Sequence, residues 1–150
     1  MSFTESNLLE IAADVLKLYP VEIKEVSLVN YENNATFKLI AKDGVHYAFR
    51  INVNSPRSKS NVEGEVAWVK FLNNSDLVQT ARPIANKQGS YVTTFFHQES
   101  DRDLYTVMYS WLEGEDVGDE PTPTQLHALG AAMAHMHNLS VDFDLPSNCQ

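Results

Sequence analysis

The sequence is short of cysteine, of basic residues and of long apolar runs. Its 150 residues include one cysteine, Cys149, so no internal disulfide can form and a reducing cytoplasm is the expected compartment. A net charge of −9 argues against binding nucleic acid or an anionic membrane. No basic leader precedes an apolar run, and no run reaches about 18 apolar residues. We therefore expect neither secretion nor a membrane span.

A metal-binding pattern is also missing. The chain has no pair of cysteines, and its clustered histidines fall on one predicted helix. On that helix His135 and His137 point about 200° apart and His127 is in line with neither, so the three cannot share an ion. We expect these histidines to have core or capping roles.

The spacing of apolar residues predicts a series of helices and strands along the chain. Apolar side chains recur at helical spacing from Leu8 to Tyr19, and Pro20 ends that pattern. The period then becomes two, with turns at 32–34 and at the Asp-Gly of 42–44, which favours three antiparallel strands. The first three strands cover about 25–31, 35–41 and 45–53. They are followed by a helix at about 61–73, strands near 82–85, 90–96 and 103–111, and a helix from 122 to about 139.

Two of the predicted helices begin with a capping-box pattern. Ser60 and Glu63 fit the start of the second helix, and Thr122 with Gln125 fits the start of the last one. An acidic stretch over 113–121 separates the last helix from the strands. The order of elements predicts an α+β fold, an antiparallel sheet of about five strands with a helix packed on it.

The third strand carries a cation on the face away from its expected core. If Phe49 and its alternate neighbours face the core, Ala48 and Arg50 lie on the opposite face. A cation at such a position requires water or a partner.

The following helix offers that partner. Glu63 and Glu65 point about 200° apart on it, and Glu63 is assigned to the cap. Glu65 instead lies in line with the residues expected to pack on the sheet, which are Trp68, Val69 and Leu72. We therefore predict an ion pair between Arg50 and Glu65.

Five segments in sequence order resemble the N-terminal half of a known fold. They are SLVNYENNATFKLI, YAFRI, EGEVAWVKFL, YTVMYSWLEGE and QLHALGAAMAHMHN, within residues 25–139. Together they are similar to the small-molecule kinases of the aminoglycoside phosphotransferase, choline kinase and homoserine kinase group, which have a protein-kinase-like fold.

The resemblance implies a site for ATP with Mg²⁺. Ala48 would leave room for the adenine ring, and Arg50, held by Glu65, would reach the α and β phosphates. An Arg departs from the Lys commoner in protein kinases, but its planar fork can hold a carboxylate and a phosphate together. The turn containing Asn33 and Asn34 would cover the phosphates with backbone N–H groups.

The resemblance also implies a hinge and a domain division. Tyr109 would line the rear of the adenine pocket, and the main chain of Ser110 and Leu112 would bond the adenine edge. Residues 1–112 would form the nucleotide-binding lobe, 113–121 the linker and 122–150 the start of a truncated C-terminal lobe. The acceptor in such kinases is a small-molecule hydroxyl.

The catalytic part of the resembled family is absent from this sequence. Its His-Gly-Asp-type loop, the following Asn and the Mg²⁺-binding Asp have no counterpart here, so no catalytic residue is expected in the chain. Asp142 and Asp144 follow the last helix too directly to serve and are expected to be solvated. We therefore expect no phosphotransferase activity from the chain alone.

Simpler interpretations stay open. Arg50 and Glu65 could be a structural ion pair in a protein that binds no nucleotide. The turn at 32–34 also has the composition of an ordinary hairpin turn. In a second interpretation, the chain is a kinase-derived or unrelated α+β binding module that self-associates through an apolar stripe on its last helix. The residues of this stripe are Leu126, Leu129, Met133 and Met136. Side chains simply expected in the core are Trp68, Trp111, Met133 and Met136.

Overall fold

An antiparallel sheet forms the frame on which the helices lie. The computed structural model describes residues 3–115 and 117–149, so Met1, Ser2, the predicted linker residue Asp116 and Gln150 lie outside the described residues. The predicted α+β class is confirmed. The elements are α1 (Glu5–Leu16), β1 (Ile23–Tyr31), β2 (Asn34–Ala41), β3 (His46–Asn52), α2 (Lys59–Asn73), β4 (Pro83–Ile84), β5 (Val92–His97), a 3₁₀ turn (Gln98–Ser100), β6 (Arg102–Ser110) and α3 (Pro123–Ser140).

Strand β3 lies inside the sheet, between β2 and β6. The strand order is β1-β2-β3-β6-β4, and β5 also pairs with β6. Ala48 lies opposite Lys38 on one side and Tyr109 on the other, and Arg50 lies opposite Val107. Opposite residues of antiparallel neighbours point to the same face. Ala48, Arg50 and Tyr109 therefore share one face of the sheet.

The other face of the sheet is covered by α1. Phe37, Phe49 and Ile51 are fully buried there, together with Leu8 and Val15 from the helix. Each such side chain stabilises the fold by about 1.5–3 kcal/mol relative to exposure. The predicted alternation in β3 is confirmed, and α1 adds a second packed helix to the one expected.

Helix α2 packs on the face that carries Arg50. Its Val62 and Val66, four residues apart and so on one side of the helix, contact Val92 and Val107 of the sheet. These four side chains form a small core that covers only part of the face. The part over Arg50 stays open as a cleft.

The predicted sheet-facing stripe of α2 is wrong for Trp68 and in part for Val69. Trp68 is about 200° around the helix from Val66, so its ring faces α3 instead. Its indole N–H donates to Ser140 Oγ at 2.8 Å. Val69 is only half-buried, whereas Leu72 is buried as expected.

The predicted capping box of α2 is also wrong, by two residues. Ser58, not Ser60, is the N-cap: its hydroxyl accepts from the Asn61 N–H at 3.2 Å, and the Ser58 N–H donates to Asn61 Oδ1 at 3.0 Å. Glu63 consequently lies inside the helix, where it pairs with Lys59 at 3.6 Å. The prediction that Glu65 points toward the sheet does not depend on which serine is the N-cap.

Helix α3 begins with the predicted Thr122–Gln125 capping box but is not a core helix. Met133 is 44% exposed, so its assignment to the core is wrong. His127, His135 and His137 are exposed as well and have neither core nor capping roles. The reason is that α3 packs mainly along α2, leaving most of its circumference uncovered in the described part of the chain. No helix in the described part of the chain is long and apolar enough to cross a bilayer.

Candidate functional site

The predicted ion pair between β3 and α2 is present. Arg50 Nη2 lies 2.7 Å from Glu65 Oε1, and the two side chains are only 21% and 23% exposed. The strand alternation turns Arg50 toward α2, and Glu65 stands beside Val66 at the edge of the packed stripe of the helix. A strand and the helix that follows it thus bring opposite charges together at the floor of the cleft.

A second guanidinium shares the same carboxylate. Arg57 Nη1, in the loop between β3 and α2, lies 2.7 Å from Glu65 Oε2, so each carboxylate oxygen faces one arginine. Sequence reasoning missed Arg57 because a loop has no period from which a direction can be inferred. The one available signal was a basic residue next to the helix start.

Arg50 has donors that no protein group accepts. Its Nε and Nη2 atoms are buried, and neither has a hydrogen-bond partner within residues 3–115 and 117–149. The 2.7 Å contact of Nη2 with Glu65 is close enough for an ion pair, but the carboxylate lies off the N–H direction and accepts no aligned hydrogen bond. A buried donor without an acceptor costs about 1–3 kcal/mol. An anionic oxygen in the cleft would remove that cost.

Tyr109 borders the ion pair from β6. Its hydroxyl lies 3.5 Å from Glu65 Oε1, at the outer limit of a hydrogen bond. Burial, and then the charge of Glu65, raise the pKa of Tyr109 to about 12, while the charge of Arg50 acts against the increase. Tyr109 therefore stays a neutral donor throughout the ordinary pH range.

The two arginines open onto a cavity of about 530 Å³ beneath the β1–β2 turn. Within the described residues, Glu65 is the only carboxylate that lines it, so two positive charges face one negative charge. The cavity therefore favours an anion, although the chain as a whole is strongly acidic. Its lining residues are Asn33, Asn34, Arg50, Ser55, Pro56, Arg57, Glu65, Trp68 and Val69.

The β1–β2 turn is tied to the loop that carries Arg57. Asn54 donates its backbone N–H to the Asn33 carbonyl at 3.0 Å and its side-chain amide to the Glu32 carbonyl at 2.6 Å. The turn containing Asn33 and Asn34 is thereby held over the cavity. Its position relative to Arg57 is fixed by these two bonds.

Ala48 lies on the same face of β3 as Arg50, two residues before it, and is half-buried. It belongs to neither hydrophobic core, and it is not among the residues that line the cavity at Arg50. Lys38, beside it on β2, places its ammonium 4.6 Å from the centre of the Trp111 ring. Lys38, Ala48 and Tyr109 thus form a row across three neighbouring strands on this face of the sheet.

The predicted hinge residues, Ser110 and Leu112, lie at and just beyond the end of β6. The Ser110 N–H donates to the Arg82 carbonyl at 2.8 Å, and the Ser110 hydroxyl accepts from the Arg82 N–H at 2.9 Å. Ser110 can therefore offer a ligand its carbonyl but not its N–H. Leu112 is exposed, two residues beyond the end of β6.

Comparison with known proteins adds to this geometry. A family profile described as "Phosphotransferase enzyme family" matches residues 26–148. No curated protein matches the chain.

Solved structures of small-molecule kinases have a similar fold. An amicoumacin kinase, hAmiN, in complex with AMP-PNP, Ca²⁺ and Ami is 19% identical with a TM-score of 0.77, over 97% of this chain and 42% of that one. A microcompartment-associated aminopropanol kinase is 21% identical with a TM-score of 0.77, over 93% and 42%. A putative fructosamine-3-kinase from Thermobifida fusca YX-ER1 is 18% identical with a TM-score of 0.52, over 84% and 38%. The chain thus spans about two fifths of the length of these proteins.

Proposed function

The chain belongs to the phosphotransferase enzyme family, and on that premise we propose that it is the nucleotide-binding lobe of an ATP-dependent small-molecule kinase. One observation carries the proposal: the buried, unpartnered N–H groups of Arg50 beside Glu65, on a cavity with a net positive lining. The amicoumacin kinase of similar fold is in complex with AMP-PNP, an analogue of ATP. The single cysteine agrees with a reducing cytoplasm as the proposed compartment.

The phosphates would lie in the cavity beneath the β1–β2 turn. Arg50 would donate its free N–H groups to phosphate oxygens while Glu65 keeps the guanidinium in place. Backbone N–H groups of Asn33 and Asn34 would approach from above, and successive backbone donors of this kind bind anions. No basic surface is required, because the site supplies its own local positive charge.

The base would lie over Ala48. Its side chain is small and half-buried, and Tyr109, opposite it on β6, would line the rear of the adenine pocket. The Ser110 carbonyl and the Leu112 N–H would bond the adenine edge, which keeps the expected main-chain contact and confines it at Ser110 to the carbonyl, because the Ser110 N–H is occupied.

The residues of the cavity do not fit a magnesium site. Magnesium prefers carboxylate and water oxygens, and the single lining carboxylate, Glu65, is held by two guanidiniums. No group of three metal-ligating side chains occurs in the part of the chain that is described. Among the described residues, this cavity supplies no set of protein ligands for a metal bound with ATP.

We assign residues 1–112 to the nucleotide lobe, 113–121 to the linker and 122–150 to the start of a C-terminal lobe. Phosphoryl transfer to a hydroxyl requires a group that orients the nucleophile, in this family within a His-Gly-Asp-type loop. No histidine of the chain is followed two residues later by aspartate. Transfer to a small-molecule hydroxyl would therefore need residues that this chain does not contain.

Thermal unfolding with nucleotide tests the proposal. At 100 times the Kd, ATP should stabilise the chain by about 2.7 kcal/mol, which for a domain of this size raises the Tm by about 5 °C or more. Arg50→Ala should lose most of this increase, while Lys42→Ala, which removes an exposed cation from the β2–β3 turn, should keep it. Incubation with Mg-ATP should produce no ADP. A wild-type Tm unchanged by ATP, ADP and adenosine would contradict the proposal.

A second function is favoured by the surface of α3. Leu126 and Leu129 are 53% and 58% exposed and lie with Met133 along one side of the helix. An apolar stripe of this kind can bind another protein surface. The alternative is thus a protein-binding module derived from a kinase lobe, and it predicts association that ATP does not change.

A further inference from the structure

The loop between β3 and α2 contains a cation to which the proposed function gives no role. Arg57 lines the same cavity as Arg50, yet its side chain is 55% exposed, against 21% for Arg50. Its contact with Glu65 uses one N–H of Nη1, and a guanidinium has five N–H donors in a planar fork. Arg57 can therefore contact Glu65 and an anion in the cavity together.

The order of groups along β3 gives the direction of a bound nucleotide. Ala48, over which the base would lie, is followed two residues later by Arg50, about 6.6 Å along the strand. Arg57 lies farther along the chain, in the loop after the strand ends. A polyphosphate that extends from the base in this direction meets Arg50 first and Arg57 second.

The loop is held in a fixed position at this end of the cavity. The Asn54 side chain and backbone bind the β1–β2 turn, and the Arg102 guanidinium donates to the Val53 carbonyl. The backbone that carries Arg57 is thus anchored at two neighbouring residues. Its exposed side chain lines the cavity together with the anchored turn and contacts the Glu65 oxygen that does not face Arg50.

We propose that Arg57 is a second phosphate-binding cation, which contacts the phosphates most distant from the base while it bridges to Glu65. The inference rests on the proposed nucleotide function and deepens it. Arg50 then serves all nucleotides with a phosphate, whereas Arg57 serves those with a longer polyphosphate chain. The cavity discriminates triphosphate from monophosphate through this one side chain.

Calorimetric titration of AMP and ATP, without divalent metal, into wild type and Arg57→Ala tests the assignment. A lost hydrogen bond from a charged group weakens binding by about tenfold or more. Arg57→Ala should therefore bind ATP about tenfold less tightly than wild type and AMP within about twofold of it. Lys59→Ala is the matched control, because it removes a cation two residues away that does not line this cavity.

Other results overturn the assignment. Equal losses for AMP and ATP would show that Arg57 acts only by holding Glu65, and equal affinities in variant and wild type would show that it binds no phosphate. Wild-type protein that binds neither nucleotide would overturn the proposed function as well. An unliganded Tm of Arg57→Ala within a degree or so of wild type verifies that the loop cation is not required for folding.

Discussion

At the scale of single residues, Tyr109 connects the packing of the sheet to the charges of the cleft. Its ring lies beside Ala48 and its hydroxyl approaches Glu65, which already faces two guanidiniums. An ionised Tyr109 would place a second negative charge next to that carboxylate, in partly desolvated surroundings. The neutral phenol is therefore part of the charge balance of the site.

Alkaline titration checks this state of Tyr109. Its folded pKa of about 12 exceeds the ordinary value of 10.0, so the unfolded chain releases this proton first as the pH rises. The contribution of Tyr109 to stability is then complete below pH 10 and decreases between pH 10 and about 12. Burial also raises the pKa of Tyr19, so tyrosinate absorbance in the near ultraviolet should show more than one late-titrating tyrosine, and Tyr109→Phe should reduce that late component without abolishing it.

The matched control for that titration is Tyr47→Phe, which changes a tyrosine on the opposite face of β3. It should leave the late component in place. If the absorbance that is lost in Tyr109→Phe instead titrates near the ordinary pKa of tyrosine, the explanation of the raised pKa by burial and by the nearby Glu65 carboxylate would be contradicted.

The sequence predicted Arg50 and Glu65 better than it predicted Arg57 for a physical reason. Strand alternation and helical rotation are local, so each gives a direction that survives folding. The direction of Arg57 depends on where Asn54 and Arg102 anchor a loop, and those contacts join distant parts of the chain. Likewise the occupied N–H of Ser110 depends on Arg82, 28 residues earlier.

At the scale of elements, α2 shows which features of a helix its own sequence determines. Ser58 and Ser60 are both suitable N-caps, and each is followed at the third position by a residue that can close the box. The structure uses Ser58, which gives α2 an additional half turn, while Val62 and Val66 face the sheet. The existence and extent of the helix were predictable within about two residues. The choice of cap was not.

Helix α3 shows that the sequence of a helix does not by itself determine which of its side chains are buried. Its apolar stripe and its capping box are visible in the sequence, and both are present. A stripe predicts a buried side only when another element covers it, and here α2 covers a different part of the helix. For this reason the prediction of a core position for Met133 is wrong.

The exposed stripe predicts self-association of the isolated chain. We expect the wild-type molar mass by light scattering to rise above that of a 16.9 kDa monomer as concentration increases. The double variant Leu126→Gln with Leu129→Gln should remain monomeric, because glutamine retains helix propensity and removes the apolar surface. His135→Gln, on the opposite side of α3, should associate like wild type. A wild-type monomer at all concentrations would contradict this role of the stripe.

At the scale of the whole molecule, a strongly acidic chain concentrates two of its four arginines on one cavity. The net charge of −9 would repel a phosphate chain from most of the surface, so binding depends on the local excess of positive charge. The fold that creates this excess matches kinases more than twice as long. Under the proposed function, nucleotide recognition and phosphoryl transfer are separable, and this chain contains the residues proposed for the first.

The most direct measurement is the nitrogen-15 spectrum of the arginine Nε–H groups during titration with ATP. Four arginines give few signals, which Arg→Lys variants assign. The account predicts that ATP shifts the Arg50 and Arg57 signals and leaves that of Arg102, which binds the Val53 carbonyl outside the cavity lining, in place. An Arg50 signal that does not move at saturating ATP would contradict the assignment of this cleft to nucleotide phosphates.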